Sequence, residues 1–308
     1  MVIKMTDIAA KDEKIIDGKA IAALCRAEIA EEVAAMTRKP ALAVIIVGEN
    51  PASQVYVRNK EKACLEAGIR SSVYRLPKET SQQELIALIG QLNADDETDG
   101  ILVQLPLPKK SEGGSGIDES AVLAAISGFK DVDAFGAENV GHIMMGDFHM
   151  LPCTPAGVMT LLEKSGVDPS GKECVVVGRS NIVGKPMAML LLHKNATVTI
   201  AHSKTKELSE VCRRADILVV AVGRAGLITG DMIKDGAVVI DVGMNRNEQG
   251  KLCGDVDFES VYPKAAKITP VPGGVGPMTI TTLLQNTVTA AKLRHPELSI
   301  RGLPRNST

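Results

Sequence analysis

The sequence predicts an α/β protein of two domains, each a mainly parallel sheet with flanking helices, the second of Rossmann type. Three observations predict it. Short β-rich runs alternate with helical patterns along the chain, the mark of βαβ units and a parallel sheet. In Glu173-Cys-Val-Val-Val-Gly-Arg-Ser-Asn-Ile-Val-Gly-Lys-Pro186 an apolar run ends in glycine and a helix begins six residues later, which reads as a nucleotide-binding strand-turn-helix. The length of 308 residues suffices for two domains, each with its own core.

The elements follow in order. Ala41-Leu-Ala-Val-Ile-Ile-Val47 is a strand, a helix runs from about Pro51 to Ala67, and Ser72-Val-Tyr-Arg-Leu76 is a second strand. A helix near Gln82 to Leu92 precedes a third strand, Gly100-Ile-Leu-Val-Gln-Leu105. Right-handed crossovers gather the loops that leave these strands along one sheet edge. Phe129 to Thr154 is poor in periodicity and holds Gly136, Gly141 and Gly146, as suits an interdomain connection. Cys174 to Val177, Ala196 to Ala201, Asp216 to Val222, Ala237 to Val242 and Lys267 to Val271 are the strands expected of the second half. Met278 to Leu293 is a helix expected to close back onto the first domain, and Arg301 to Thr308 is expected to fray. The expected division is 1–148 for the first domain, completed by about 278–300, and 149–277 for the second.

Composition excludes several classes. With 45% apolar and 23% charged residues the chain is neither disordered nor membrane-spanning, and a net charge of -2 argues against a broad nucleic-acid footprint. The first residues soon reach Lys11-Asp-Glu-Lys14 and lack the apolar core of a signal peptide, so a cytoplasmic location is expected. The six cysteines are scattered without a C-x-x-C pair and the five histidines lack ligand spacing, so no metal site is expected.

The glycine turn departs from the common G-x-G-x-x-G fingerprint. Only Gly178 and Gly184 remain, with Arg179 and Ser180 filling the turn. Where an NAD-preferring domain carries an acid at the end of its second strand, this chain has His202-Ser203-Lys204-Thr205. An acid would repel a 2′-phosphate, whereas hydroxyls and cations accept it, so NADP is favoured. The other reading is that Arg179 and Lys204 are solvated surface charges.

In the first half, Tyr56 and Lys60 are four apart and share a helical face. Gln104 ends the third strand, where a parallel sheet opens its ligand crevice, and Lys130-Asp-Val-Asp133 supplies two carboxylates. Singly, each has a plainer reading, such as a tyrosine packed on a helix beside a solvated lysine. A Tyr-x-x-x-Lys pair also occurs in short-chain dehydrogenases, but there it follows the nucleotide fold and here it precedes it.

Together, Val47-Gly-Glu-Asn-Pro-Ala-Ser-Gln-Val-Tyr-Val-Arg-Asn-Lys60, Val103-Gln-Leu-Pro-Leu-Pro108, Lys130-Asp-Val-Asp133, Pro152-Cys-Thr-Pro155, Val177-Gly-Arg-Ser180 and Thr269-Pro-Val-Pro-Gly-Gly-Val-Gly-Pro-Met-Thr279 resemble bifunctional methylenetetrahydrofolate dehydrogenase/cyclohydrolase. The resemblance runs from Ile16 to about Lys292. It implies NADP-dependent oxidation of 5,10-methylenetetrahydrofolate, then hydrolysis of the methenyl product to 10-formyltetrahydrofolate, in a cleft between the domains of a homodimer.

The resemblance assigns roles residue by residue. The oxidation removes hydride from a carbon between two nitrogens, so positioning dominates and no proton-abstracting dyad is needed. Hydrolysis needs one proton-handling side chain, and by match that is Lys60. Such a lysine has to titrate about three pH units below its ordinary value of roughly 10.4. Tyr56 would pack on the folate, Gln104 would tune Lys60, and Asp133 would accept two hydrogen bonds from the pterin edge. Pro272, Gly273 and Gly274 would approach the substrate, and Gly178, Arg179, Ser180, Ile182 and Ser203 would contact NADP. One departure stands out. The family usually has glycine after the second aspartate of Lys-Asp-Val-Asp, and here it is Ala134. If that position needs a positive φ, alanine is costly.

Overall fold

The computed structural model describes residues 12–296, and they divide into two compact units. One comprises Arg26–His142, Phe148–Leu151 and the residues from Leu283. The other comprises the described residues up to Cys25, Ile143–Asp147 and Pro152–Thr282. The expected fraying of Arg301 to Thr308 lies outside the described residues, as do the ends of the expected 1–148 and 278–300 segments.

In chain order, α1 (Gly18–Ala35) leads to β1 (Ala41–Val47), α2 (Pro51–Glu66), β2 (Arg70–Leu76), α3 (Gln82–Ala94) and β3 (Gly100–Val103). The three strands pair in parallel in the order β2-β1-β3. β1 is central and buried from Leu42 to Val47, which is why it reads as an unbroken apolar run. α2 starts where Asn50 accepts the amides of Ala52 and Ser53 and Pro51 fills the first turn. Its buried residues are Ser53, Val57, Ala63 and Cys64. α3 opens on a Ser81/Glu84 capping box. At its far end the buried Lys130 donates Nζ to the carbonyls of Leu92 and Asp95, at 2.7 and 2.6 Å. Burial holds the Lys130 pKa below the ordinary lysine range.

The stretch expected to be an irregular connection contains α5 (Ala137–Met145), after the short α4 (Glu119–Ala124), and it runs into α6 (Cys153–Lys164). α5 carries Met144 and Met145 outward, 64% and 69% exposed, so its apolar residues do not trace a buried face.

The second unit continues with β4 (Glu173–Val177), α7 (Gly184–His193), β5 (Thr197–Ala201), α8 (Leu208–Arg213), β6 (Ile217–Val220) and β7 (Val238–Asp241). A small hairpin, β8 (Asn245–Arg246) and β9 (Leu252–Cys253), and α9 (Phe258–Val261) come before β10 (Lys267–Ile268) and α10 (Val275–Arg294). The main sheet is parallel, in the order β10-β7-β6-β4-β5. The strand expected from Lys267 to Val271 is only two residues long, because Thr269 already starts the Pro/Gly loop. The α10 residues from Leu283 belong to the three-stranded unit. There Asn286 Nδ2 donates to the carbonyls of Val132 and Leu151, both at 2.8 Å, and Lys292 pairs with Glu32.

Candidate functional site

In the three-stranded unit the helix α2 and the end of β3 bring two candidate residues into contact. Gln104 follows β3 directly, and its amide donates to Ile45 O at 2.8 Å, which fixes it at the C-terminal edge of β1. Lys60 Nζ donates to Gln104 Oε1 at 3.0 Å, while Gln104 Nε2 donates to Leu105 O at 2.7 Å. The second bond orients the amide, so its oxygen faces the lysine. Tyr56 lies one turn before Lys60 on α2 and is 39% exposed.

The Lys-Asp-Val-Asp segment separates into structural and accessible parts. Lys130 caps α3, as described. Asp131 is 2% exposed and accepts from Gly136 N at 2.7 Å and Asn139 Nδ2 at 3.1 Å. Burial pushes its pKa up to about 6. Of the two expected carboxylates, Asp131 is therefore consumed by this turn, and Asp133 is the partly exposed one. Ala134 is fully buried with φ +54°, the left-handed region in which glycine is usual.

In the five-stranded unit the glycine turn is closed by its own backbone. Gly178 has φ +137° and donates to Ala201 O at 2.8 Å. A Cβ on Gly178 would stand 2.3 Å from Ala221 O, and one on Gly184 2.3 Å from Gly178 O. Both glycines thus stand where the protein's own backbone leaves no room for a side chain. Ser180 Oγ accepts from Val183 N and Gly184 N, at 3.2 and 3.3 Å, and so closes the turn ahead of α7. After β5, Thr205 N donates to His202 O, His202 N to Thr205 Oγ1 and Lys204 N to His202 Nδ1. This turn leaves Ser203 exposed at its tip.

A cavity of about 440 Å³ opens at these strand ends, lined by residues of the β4, β5 and β6 loops that include Gly178, Arg179, Ser180, Ser203, Val222 and Arg224. Ile182 lies in the same turn, 42% exposed, but does not line the cavity. Sequence reasoning missed Arg224. The signal was its place just after the strand β6, in the loop that parallel sheets turn toward ligands.

Thr269 to Val275 packs on the start of α1. Gly273 has φ +109° and its carbonyl accepts from Lys19 N at 3.1 Å, and a Cβ on Gly18 would stand 1.8 Å from Gly274 O. Pro272 is exposed beside them. These glycines have a packing reason in addition to any ligand.

The parallel sheet, the glycine turn and the basic cavity at the strand ends define the class: a dinucleotide-binding oxidoreductase. Residues 16–133 match the catalytic domain of tetrahydrofolate dehydrogenase/cyclohydrolase, and residues 152–295 its NAD(P)-binding domain. The chain is 61% identical over 282 residues to the bifunctional protein FolD of Moorella thermoacetica, covering 91% of this chain and 99% of that one. It is similar to the solved FolD of Campylobacter jejuni, with a TM-score of 0.87 and 51% identity over 91% of this chain and 99% of that one. The Trypanosoma brucei enzyme, solved with NADP cofactor and inhibitor, gives 0.85 and 41% over 94% and 98%. The chain belongs to the tetrahydrofolate dehydrogenase/cyclohydrolase family, whose two activities in folate one-carbon metabolism it carries: oxidation of 5,10-methylenetetrahydrofolate and hydrolysis of the methenyl product.

Proposed function

We propose that NADP, rather than NAD, is the dinucleotide of this enzyme, and that Lys60 handles the proton of the hydrolysis. The residues around the cavity suit the larger cofactor. Arg179 and Arg224 supply cations, Ser203 supplies a hydroxyl, and the β5 end carries no acid. Bound there, the dinucleotide supplies a hydride acceptor. Gly178 allows close backbone approach, Arg179 and Ser203 read the 2′-phosphate, Ser180 holds the turn, and Ile182 covers its outer side.

On the folate side, Asp133 accepts the pterin N–H groups and Tyr56 packs on the ring near the bridging carbon. Pro272, Gly273 and Gly274 present backbone to the substrate. In the hydrolysis the oxygen of water bonds to the bridging carbon and a water proton passes to Lys60. The resulting hydroxyl gives up its second proton as the formyl C=O forms and the bond from that carbon to N5 breaks, so that N5 takes up one of the two protons and the other leaves to solvent. Gln104 holds Lys60 in place for this. The observation that carries the assignment is the Lys60 to Gln104 bond of 3.0 Å, with the amide fixed from behind by Leu105 O. Replacement of Lys60 by Met should let the methenyl compound accumulate while its formation continues, because a positioned proton-transfer group contributes about 10² to 10⁴ in rate. Unchanged hydrolysis in that variant would remove Lys60 from the role.

The same reading assigns the folate-binding domain to 1–148 with 278–300, and the NADP-binding domain to 149–277. It makes the enzyme a cytoplasmic homodimer. Its six cysteines are free thiols, five of them buried, as suits a reducing compartment. β5 is an edge strand with Ile200 41% exposed, a surface that a second copy would cover. Sedimentation at micromolar concentration tests the dimer, and a monomer would overturn it.

A further inference from the structure

A buried carboxylate outside the candidate residues controls the shape of the cavity's third loop. Asp255 is fully buried, in the segment between β9 and α9. Its Oδ2 accepts the amides of Val222 and Gly223 at 2.7 and 3.0 Å, and its Oδ1 accepts the amide of Arg224 at 2.8 Å and Asn245 Nδ2 at 2.9 Å. Three consecutive amides of one loop therefore converge on one side chain. Val222 and Arg224 line the cavity, and Gly223 between them has φ +67°.

Asp255 is itself held firmly. Asp241, at the end of β7, accepts the amides of Gly243, Asp255 and Val256 at 2.9, 2.9 and 3.0 Å. There is no slack in this arrangement. A Cβ on Gly254 would stand 1.7 Å from Asp241 Oδ2, and one on Gly243 2.3 Å from Asp255 Cγ. The loop after β6 is thus fastened to the end of β7 through two carboxylates.

A run of amides curled in this way is ordinarily an anion-binding concavity. Here the protein's own carboxylate fills it, so these three amides are not open to a cofactor phosphate. We propose that Asp255 is a positioning residue for the dinucleotide: it fixes Val222 and Arg224 at the cavity wall and leaves the cationic β4 and β5 turns as the place for phosphate. The inference rests on the cavity being the NADP site proposed above.

Kinetics of the full-length enzyme test it. Asp255→Asn keeps the shape but puts an amide nitrogen where an oxygen accepted, and it should raise the KM for NADP about tenfold, a factor set by the loss of charge-assisted bonds. At saturating NADP, kcat should stay within about twofold, and so should hydrolysis of the methenyl substrate measured without dinucleotide. Gly223→Ala disturbs the same loop by backbone strain alone, since nothing lies within 4 Å of its added Cβ, and it should raise the same KM. An unchanged KM for NADP in Asp255→Asn would overturn the proposal, as would equal losses of hydrolysis and oxidation in both variants. If Asp255→Asn alone loses both activities, Gly223→Ala decides: a raised KM with intact hydrolysis supports the proposal and an unchanged one refutes it. Failure of the wild-type enzyme to saturate with NADP would instead refute the NADP assignment.

Discussion

Replacing Arg179 by Ala removes the guanidinium that the turn between β4 and α7 presents to the cavity. Arg179 is exposed, and among the described residues it has no hydrogen-bond or ion-pair partner, so the change leaves folding within about 0.5 kcal/mol. The effect on the cofactor is larger. A screened charge pair at about 4 Å contributes about 1 kcal/mol in water, and a charge-assisted hydrogen bond about 1.5–3 kcal/mol. At 1.4 kcal/mol per tenfold, affinity for NADP should fall about 10- to 100-fold. NAD lacks the 2′-phosphate and should lose less than about threefold by the same reasoning. Initial rates with each dinucleotide at fixed methylenetetrahydrofolate give both KM values, and repeating them at high salt should shrink the difference in the wild-type enzyme. Equal losses for NADP and NAD would show that Arg179 does not read the 2′-phosphate.

Further outcomes follow from the three-stranded unit. Asp99 is fully buried and accepts from Arg38 at 2.9 and 3.0 Å, Ala41 N at 2.8 Å and Arg294 at 3.4 Å, so Asp99→Ala should destabilise by about 3–5 kcal/mol in urea unfolding. A loss below about 1 kcal/mol would mean that these bonds have little net effect. For Ala134→Gly the terms oppose. Relief of the left-handed backbone gains about 1–2 kcal/mol, whereas the lost methyl costs about 0.8 and the looser unfolded chain about 0.4–1. The net change should be under about 1 kcal/mol by the same chemical denaturation, and a shift beyond 2 kcal/mol either way would contradict that balance. Asp131 should titrate near pH 6 by carbon NMR. Its folded pKa lies above the unfolded value of 3.8, so its contribution to stability is level above pH 6 and grows as pH falls from about 6 to about 4. Titration below pH 4 would show that the amide bonds, not burial, dominate.

The strands β1 and β4 were legible because burial on both faces leaves unbroken apolar runs, and α7 because Gly178 and Gly184 bracket its turn. α1 was harder to see. Its inward residues include Ala22 and Cys25, which give little apolar contrast although they are buried with Ile29 and Val33. Lys130 illustrates a different limit, since a lysine reads as solvated until the carbonyls of Leu92 and Asp95 are placed beside it. The Lys60 and Gln104 pair needed the resemblance, because nothing local links residues 44 apart on a helix and a strand end. Asp255 was invisible for the same reason. Its three partners in the β6 loop lie 31 to 33 positions earlier, and a lone aspartate after glycine reads as a turn residue.

The C-terminal part of α10 has a consequence for how the protein is made. Val132 O waits for Asn286, 154 positions later, and Asp99 waits for Arg294, 195 positions later. A nascent chain therefore emerges with β1, β2 and β3 available but with part of the neutralising charge for Asp99 still unsynthesised. Contacts this distant in sequence are slow to form. The three-stranded unit, whose strands are all made before those of the five-stranded sheet, is finished last, and a message broken shortly before the codon for Leu283 would yield a five-stranded unit joined to a half that lacks Asn286, Lys292 and Arg294.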